Sequence, residues 1–378
     1  MVRFHIEKCN SFGRVGRLKL WGDVEIDHAT PSCMIYTRAG HIPHLSWDVV
    51  NKWIKFMQRP IFQITLPTLL VFFYLQIRFI DCAGDICKIW IIIRERRTFA
   101  SGTHLEICAL LMQYNTIQYE GAATHLSLFD PLDVRENGFN NSKSISIWTK
   151  GGRIALNVKA LMDVVACSKI STYETLFDYD TPRSSLNKRL SKSLERTNDF
   201  CKAIFNDLDS SKGVAVLSLG GGFSTYHRGR FAQEIGSLPH GHAVHIDLYE
   251  FACHPVGKKK LLNRKRRANE ENDKATEIFN KEQKFNNSEK ITESNHFSEN
   301  EVQEILSHTL QETNPELLRI VTGAFSPLQV ACLVKCGIDL FDSSFAVYLA
   351  ESGKSFRLSK DFPDDPMFST IDFNEKWY

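Results

Sequence analysis

The sequence lacks closely paired cysteines, a strong net charge and a secretory leader, and each absence excludes a class of protein. Its ten cysteines form no Cys-x-Cys or Cys-x-x-Cys pair, which favours buried, reduced thiols in a cytosolic protein. The 46 Lys and Arg residues nearly balance 44 Asp and Glu residues, and the formal net charge is +2. This balance argues against a protein that wraps nucleic acid over its whole surface, but it permits one local basic patch. The first residues are polar and strand-like, unlike a signal peptide.

The sequence also lacks an uncharged run long enough to span a membrane. Residues 61–77 contain no charged side chain over 17 positions, whereas a membrane-spanning helix needs roughly 20 apolar residues. Gln63, Pro67 and Gln76 weaken the run further. We therefore expect core strands and a helix in this part of the chain. A membrane-tethered binding protein anchored by 61–77 is the alternative.

What the sequence contains, from about residue 144, is a repeated alternation of short apolar strands and longer amphipathic helices. Such βα repeats with buried strands predict a parallel sheet or barrel. In a barrel the carboxyl ends of the strands form the functional site, and Asp178, Gly220 and Asp342 are predicted to lie there. The predicted strands are 144–148, 153–157, 175–177, 214–219, 242–249, 318–322 and 338–342, and the predicted helices are 158–168, 182–208, 227–237 and 327–336.

Two segments, 67–103 and 255–300, interrupt this pattern and divide the chain. The segment 255–300 has few apolar residues, cannot bury a core, and is predicted to be a disordered insertion. The predicted parts are N-terminal strands and first barrel units (1–66), an atypical hydrophobic insertion (67–103), barrel (104–254), a disordered basic and polar insertion (255–300), and the C-terminal part of the barrel (301–378).

A basic run opens the second insertion. It is a candidate contact for RNA phosphates, it also resembles a nuclear-import signal, and a solvated charged loop is the third interpretation. The candidate RNA-contacting residues are Lys258, Lys259, Lys260, Arg264, Lys265, Arg266 and Arg267.

Three stretches carry a family resemblance through their order and spacing. They are GRVGRLKL from Gly13 with TPSCMIYTRAGHIPHL from Thr30, SKSISIW from Ser142 through the helix near residue 200, and RIVTG from Arg319 with CGIDLFD ending at Asp342 and ESGK from Glu351. Together they resemble the queuine tRNA-ribosyltransferase (tRNA-guanine transglycosylase) family, and within it the accessory subunit of the eukaryotic heterodimer.

The resemblance implies a (β/α)8 barrel with a zinc-binding insertion near the C-terminus. The family exchanges guanine at the tRNA wobble position for queuine, and a carboxylate that attacks the ribose anomeric carbon holds a covalent intermediate. It also implies tRNA and a catalytic subunit as partners. The implied location is the cytoplasm, with peripheral association on the cytosolic face of the mitochondrial outer membrane.

Matched residue by residue, the catalytic pattern is only partly present. Asp342 occupies the position of the nucleophile, and Asp178 that of a base-binding aspartate. Gly220 and Gly221 match a Gln-Gly-Gly element in which Leu219 replaces the amide.

Other parts of that pattern are missing. The Asp-Ser-Gly-Gly-Phe-Gln motif is absent, with segment 144–148 in its place. The glycine pair that admits the purine falls near 245–247, where side chains would fill the space, and Ala346-Val-Tyr replaces Pro-Thr-Arg after the nucleophile. A pocket without these groups cannot orient a purine. The resemblance therefore implies a non-catalytic accessory subunit with no catalytic residues, and the alternative is an active transglycosylase with Asp342 as nucleophile.

The zinc module departs from the family as well. Its Cys-x-Cys-x-x-Cys and His ligands should follow a segment like 371–378, and they are absent from the sequence, so we expect no zinc ligands in this chain. We also expect a barrel that is incomplete at its C-terminus. A truncated, poorly soluble product with exposed strand edges is a further alternative.

Overall fold

The computed structural model describes residues 1–69, 121–149, 152–206, 213–239, 241–253, 298–362 and 368–373, apart from residues 12, 39 and 169. The strands are β1 (Val2–Asn10), β2 (Gly13–Trp21), β3 (Val24–Thr30), β4 (Ser32–Thr37), β5 (Ile61–Thr65), β6 (Ala123–Ser127), β7 (Ile145–Thr149), β8 (Gly152–Leu156), β9 (Thr172–Glu174), β10 (Val214–Leu219), β11 (Ala243–Ile246), β12 (Leu318–Ile320), β13 (Leu340–Asp342), β14 (Lys354–Leu358) and β15 (Phe368–Asp372). The helices are α1 (Trp47–Trp53), α2 (Val158–Ser168), α3 (Asn187–Asn206), α4 (Thr225–Glu234), α5 (Glu299–Gln311), α6 (Pro327–Lys335) and α7 (Ser344–Ala350).

Eight parallel strands form a closed barrel in the order β4-β5-β6-β9-β10-β11-β12-β13. The predicted α/β barrel is therefore confirmed. The expectation of an incomplete barrel was wrong for the strands, because Leu340 of β13 pairs with Ser32 of β4 and closes the ring. Within this ring no strand edge is left exposed, contrary to the expectation for a truncated barrel.

An antiparallel sheet of β1, β2 and β3 covers one end of the barrel. Leu18 and Trp21 of this sheet are fully buried against Ile61 and Ala123 of the barrel. A buried ion pair reinforces the contact, because the Nε atom of Arg14 donates to Oδ1 of Asp339 over 2.7 Å. The N-terminal sheet and the last barrel strands therefore form one packed unit.

The uncharged run begins inside the barrel. All five residues of β5 are buried, as expected for a core strand. None of the helices in the described part of the chain has the length and hydrophobicity of a membrane span. The rest of the run, 70–77, lies outside the described residues, as does most of the predicted insertion 67–103.

The predicted strands 144–148 and 153–157 exist, but they are not barrel strands. They form β7 and β8, which pair antiparallel from Ile145–Leu156 to Thr149–Gly152. Only two residues separate the two strands in the sequence, which explains the correction, because a parallel pair needs a long crossover. The hairpin packs Ile145 and Ile147 on the core near β9.

Two other boundaries shift. Strand β9 ends at Glu174, before the predicted strand 175–177 begins, and Leu176 and Phe177 lie in the hydrophobic cluster that also contains Ile145 and Ile147 of the hairpin. Helix α5 begins at Glu299, after the capping residue Ser298, which lies inside the predicted insertion 255–300. The basic run 258–267 lies outside the described residues.

Candidate functional site

The three predicted site positions lie at one end of the barrel. Asp342 is the last residue of β13, Gly220 follows β10 directly, and Asp178 lies just beyond β9. Because the strands are parallel, their carboxyl ends meet at the same rim. The sequence therefore placed these residues correctly at the mouth of the barrel, and their surroundings decide what they can do.

Asp342 has the environment of an anion held by the main chain. Its Oδ2 accepts from the Gly323 N–H over 2.7 Å, and its Oδ1 accepts from the Ser344 N–H over 2.8 Å. Burial and, to a smaller extent, the Asp130 carboxylate raise the pKa of this carboxyl to about 6 against these hydrogen bonds. Burial therefore disfavours the ionised form that a nucleophile requires, and the two backbone amides favour it.

Asp178 is fully buried and enclosed by donors from its own chain. Its Oδ1 accepts from Arg189 over 2.7 Å and from the Asn140 side-chain amide over 2.9 Å, and its Oδ2 accepts from Arg196 over 2.8 Å. Burial opposes ionisation, but the hydrogen bonds from Arg189 and Asn140 outweigh it and lower the pKa. The carboxylate is thus a structural anion that holds α3 against the barrel rim.

The glycines after β10 allow this segment and helix α4 to approach each other closely. Gly221 has φ of 106°, and a Cβ added there would lie 3.0 Å from the Arg228 backbone nitrogen. A Cβ on Gly220 would lie 3.3 Å from the Phe231 ring. These glycines let the first turns of α4 pack against β10, where Leu219 is fully buried. Packing within the chain therefore accounts for both glycines.

A polar group inside the barrel was not predicted from the sequence. His245 of β11 lies with its Nε2 3.0 Å from the Thr322 hydroxyl and 3.7 Å from the Glu174 carboxylate. His125 of β6 lies 3.6 Å from the same carboxylate. Burial opposes ionisation of Glu174, but His245 and His125 outweigh it and lower the pKa to about 2. The sequence signal that could have found Glu174 is the alternation of side chains along a strand: Glu174 and Thr172 are two residues apart and therefore lie on the same face of β9.

Arg135 fills the mouth beside β11 and was also missed, because it lies in an irregular segment. Its guanidinium carbon lies 4.0 Å from the Phe129 ring centroid and 4.3 Å from that of Tyr249. One nitrogen donates to the Asp247 carboxylate over 2.8 Å. The side chain is only 7% exposed. We call this arrangement the aromatic slot, formed by Phe129, Tyr249 and Asp247.

The zinc implied by the resemblance finds no fitting ligand set in the described ranges. No three His, Cys, Asp or Glu side chains there are placed to hold a metal ion.

Comparison with known proteins identifies the family. A family model described as queuine tRNA-ribosyltransferase matches residues 290–373. A Caenorhabditis briggsae protein is 36% identical over 376 residues, which cover 100% of this chain and 82% of the relative. A Caenorhabditis elegans protein is 35% identical with the same coverage. A Drosophila grimshawi protein is 24% identical over 97% of this chain and 72% of the relative. All three are named queuine tRNA-ribosyltransferase accessory subunit 2.

The chain belongs to the queuine tRNA-ribosyltransferase accessory subunit 2 family. The family recognised from the three sequence stretches is thereby confirmed. In this member of the accessory subunit 2 family, Arg189 and Arg196 donate to Asp178. Helix α4 packs against Gly220 and Gly221. The roles of these residues as remnants of a base pocket stay predictions.

Proposed function

We propose that this chain is a non-catalytic subunit that pairs with a catalytic queuine tRNA-ribosyltransferase subunit. In that complex it supports the exchange of guanine for queuine at the tRNA wobble position. The name of the relatives supports an accessory role. The observation that carries the proposal is the enclosure of Asp178 by Arg189, Arg196 and Asn140.

A base-binding carboxylate must offer lone pairs to a purine. Asp178 already accepts three hydrogen bonds from side chains, two of them from charged donors, and it has no exposed surface. Releasing it for a ligand would leave Arg196 without a carboxylate and Arg189 with only its 3.4 Å contact to Asp180, which is costly in a buried site. A substrate would therefore have to break a structural contact before it could be oriented, and this supports catalysis by the partner.

The partners and location follow from the same proposal. We place the complex in the cytosol, and we assign tRNA contacts to the basic run 258–267, since clustered Lys and Arg neutralise phosphates. No disulfide joins the cysteines that the structure describes, which supports a reducing compartment. Peripheral association with the mitochondrial outer membrane is part of the proposal, and fractionation of tagged chain with and without carbonate washing tests it.

Reconstitution tests the function. The chain, the catalytic subunit and an equimolar mixture are assayed for displacement of labelled guanine from tRNA by queuine. We expect a stable complex on gel filtration, exchange by the mixture, and none by this chain alone. A failure of the two proteins to co-purify would remove the proposal.

The alternative is an active transglycosylase, and one observation favours it. Asp342 ends a barrel strand, and its two carboxyl oxygens each accept from a backbone amide. The isosteric substitution Asp342→Asn separates the two functions. Accessory action predicts an unchanged exchange rate in the complex, whereas exchange by this chain alone that is lost in the variant would establish the enzyme.

A further inference from the structure

Two cysteines lie one helical turn apart at the C-terminal end of α6. Cys332 belongs to the helix, and Cys336 is the residue that caps it. The thiol of Cys332 donates a hydrogen bond to the sulfur of Cys336, and both cysteines are free. We propose that the pair is a thiol switch, in which a hydroperoxide oxidises Cys336 and Cys332 then forms a reversible disulfide with it. The proposal goes beyond the accessory function and does not depend on it.

The two thiols differ in their access to solvent. Cys332 is only 5% exposed, and the side-chain amide nitrogen of Gln303 on α5 lies 4.0 Å from its sulfur. Cys336 is half-buried at the helix end. A cysteine that solvent reaches, placed next to a second cysteine that can resolve it, is the usual arrangement of a redox-sensing thiol. Access therefore assigns the reaction with peroxide to Cys336 and the resolving step to Cys332.

The hydrogen bond between the two thiols favours the same order. It lowers the pKa of Cys336 against the opposing effects of burial and the Glu299 carboxylate. The same hydrogen bond, together with burial, raises the pKa of Cys332. Peroxides react with the thiolate rather than the thiol. Cys201 provides a contrast, because burial raises its pKa to about 12, so this thiol should stay reduced.

The chemistry proceeds in two balanced steps, written here for hydrogen peroxide. The Cys336 thiolate attacks one peroxide oxygen and the O–O bond breaks, which gives a sulfenic acid and a hydroxide that takes up a proton. The Cys332 sulfur then attacks the sulfenic sulfur, the S–O bond breaks, and water leaves with the Cys332 proton. The two thiols lose two electrons in total, and the peroxide is reduced to two molecules of water.

The spacing of the two cysteines suits a labile disulfide. Residues four apart in a helix have Cα atoms about 6 Å apart, within the range of disulfides. Their Cβ atoms are about 5–6 Å apart, whereas a disulfide needs about 3.5–4.5 Å. The last turn of α6 must therefore move slightly, and it ends at Cys336, before Gly337 with φ of 89°. A disulfide strained in this way is easily reduced, as a switch requires.

The pair lies at the end of the barrel opposite the mouth. Helix α6 ends where the chain enters β13, and it contacts β2 of the N-terminal sheet. Three residues after Cys336, Asp339 accepts from Arg14 of that sheet. Oxidation of the pair therefore acts on the region that anchors the N-terminal sheet, and not on Asp178 or Asp342 at the mouth.

The test uses the full chain, which is treated with hydrogen peroxide, denatured and blocked with N-ethylmaleimide. Trypsin cleaves after Lys335, between the two cysteines, so the disulfide appears as a link between peptides 320–335 and 336–354. We expect this link in the oxidised chain and its loss in millimolar reduced glutathione, which structural disulfides resist. Cys201 should be recovered as the maleimide adduct.

Two substitutions of Cys332 separate its two roles. Cys332→Ala removes the resolving thiol, so dimedone should trap Cys336 as a sulfenic acid. It also removes the hydrogen-bond donor, so alkylation of Cys336 by iodoacetamide at neutral pH should slow by about threefold or more. Cys332→Ser keeps a donor of similar size, so this variant should lose the disulfide but keep the fast alkylation.

Three results would overturn the proposal. The first is a Cys336 that stays reduced while the exposed Cys9 is oxidised, and the second is a Cys336 linked to a cysteine other than Cys332. The third is equal alkylation of Cys336 in the unmodified chain and in folded Cys332→Ala. If Cys332→Ala does not fold, the peptide link in the unmodified chain decides the question together with Cys332→Ser.

Discussion

The stability of the Asp178→Asn variant decides whether Asp178 is a structural carboxylate or a base-binding one. The substitution keeps the shape of the side chain and removes its charge. Arg189 and Arg196 then lose their shared anion, although both remain close to each other at the barrel rim. The chain should therefore unfold more easily.

The magnitude follows from burial. Removing one partner of a buried ion pair costs about 3–5 kcal/mol. Asp178 is fully buried, but Arg189 and Arg196 keep 25% and 13% of their side-chain surface exposed. Water can solvate the two cations in part, so we expect about 3 kcal/mol, at the lower end. With an m-value of about 3 kcal/mol per molar urea, the midpoint falls by about 1 M.

The assay is equilibrium unfolding in urea, followed by circular dichroism. The matched control is Asp163→Asn, which removes the exposed pair with Lys159 on α2 and should cost less than about 1 kcal/mol. If Asp178→Asn is as stable as the unmodified chain, or more stable, the structural assignment is wrong. That result would fit a carboxylate retained for binding, because functional groups often reduce stability.

Two further predictions concern buried charges. Asp339→Ala should destabilise the chain by about 3–5 kcal/mol, because it leaves Arg14 buried without its anion, and a loss below about 1 kcal/mol in urea unfolding would contradict this. The Glu174 carboxyl has its pKa lowered from 4.5 to about 2, so its contribution of about 3 kcal/mol is present above pH 4.5 and is lost as the pH falls towards 2. Glu174→Gln should flatten this acid loss of stability, and an unmodified chain whose urea midpoint stays constant over that window would exclude the effect.

The barrel was predictable because its signal is local. Buried runs such as 214–219 alternate with amphipathic helices, and this pattern alone indicates parallel strands. Closure of the ring was not predictable, because the pairing of Leu340 with Ser32 joins opposite ends of the chain. The hairpin of β7 and β8 was misassigned for a related reason, since strand signals do not state which partner a strand will have.

The site was predictable in its positions but not in its contacts. Asp178 and Asp342 follow strands, and the rim position comes from that order alone. The enclosure of Asp178 depends on two arginines of α3 whose direction is set by helix packing. Arg135 carries no local signal, because its rings come from Phe129 and from Tyr249, far along the chain. Sequence reasoning therefore found the location of the site and missed what fills it.

The contact between Arg14 and Asp339 spans 325 positions of the chain, and it sets a condition on synthesis. While the ribosome is still adding residues, the first strands emerge with neither their ion-pair partner nor the strand that completes the ring. Pairings this distant in sequence form late. We therefore expect the nascent polypeptide to carry an open sheet edge until β13 has emerged, and such an edge can pair with other chains.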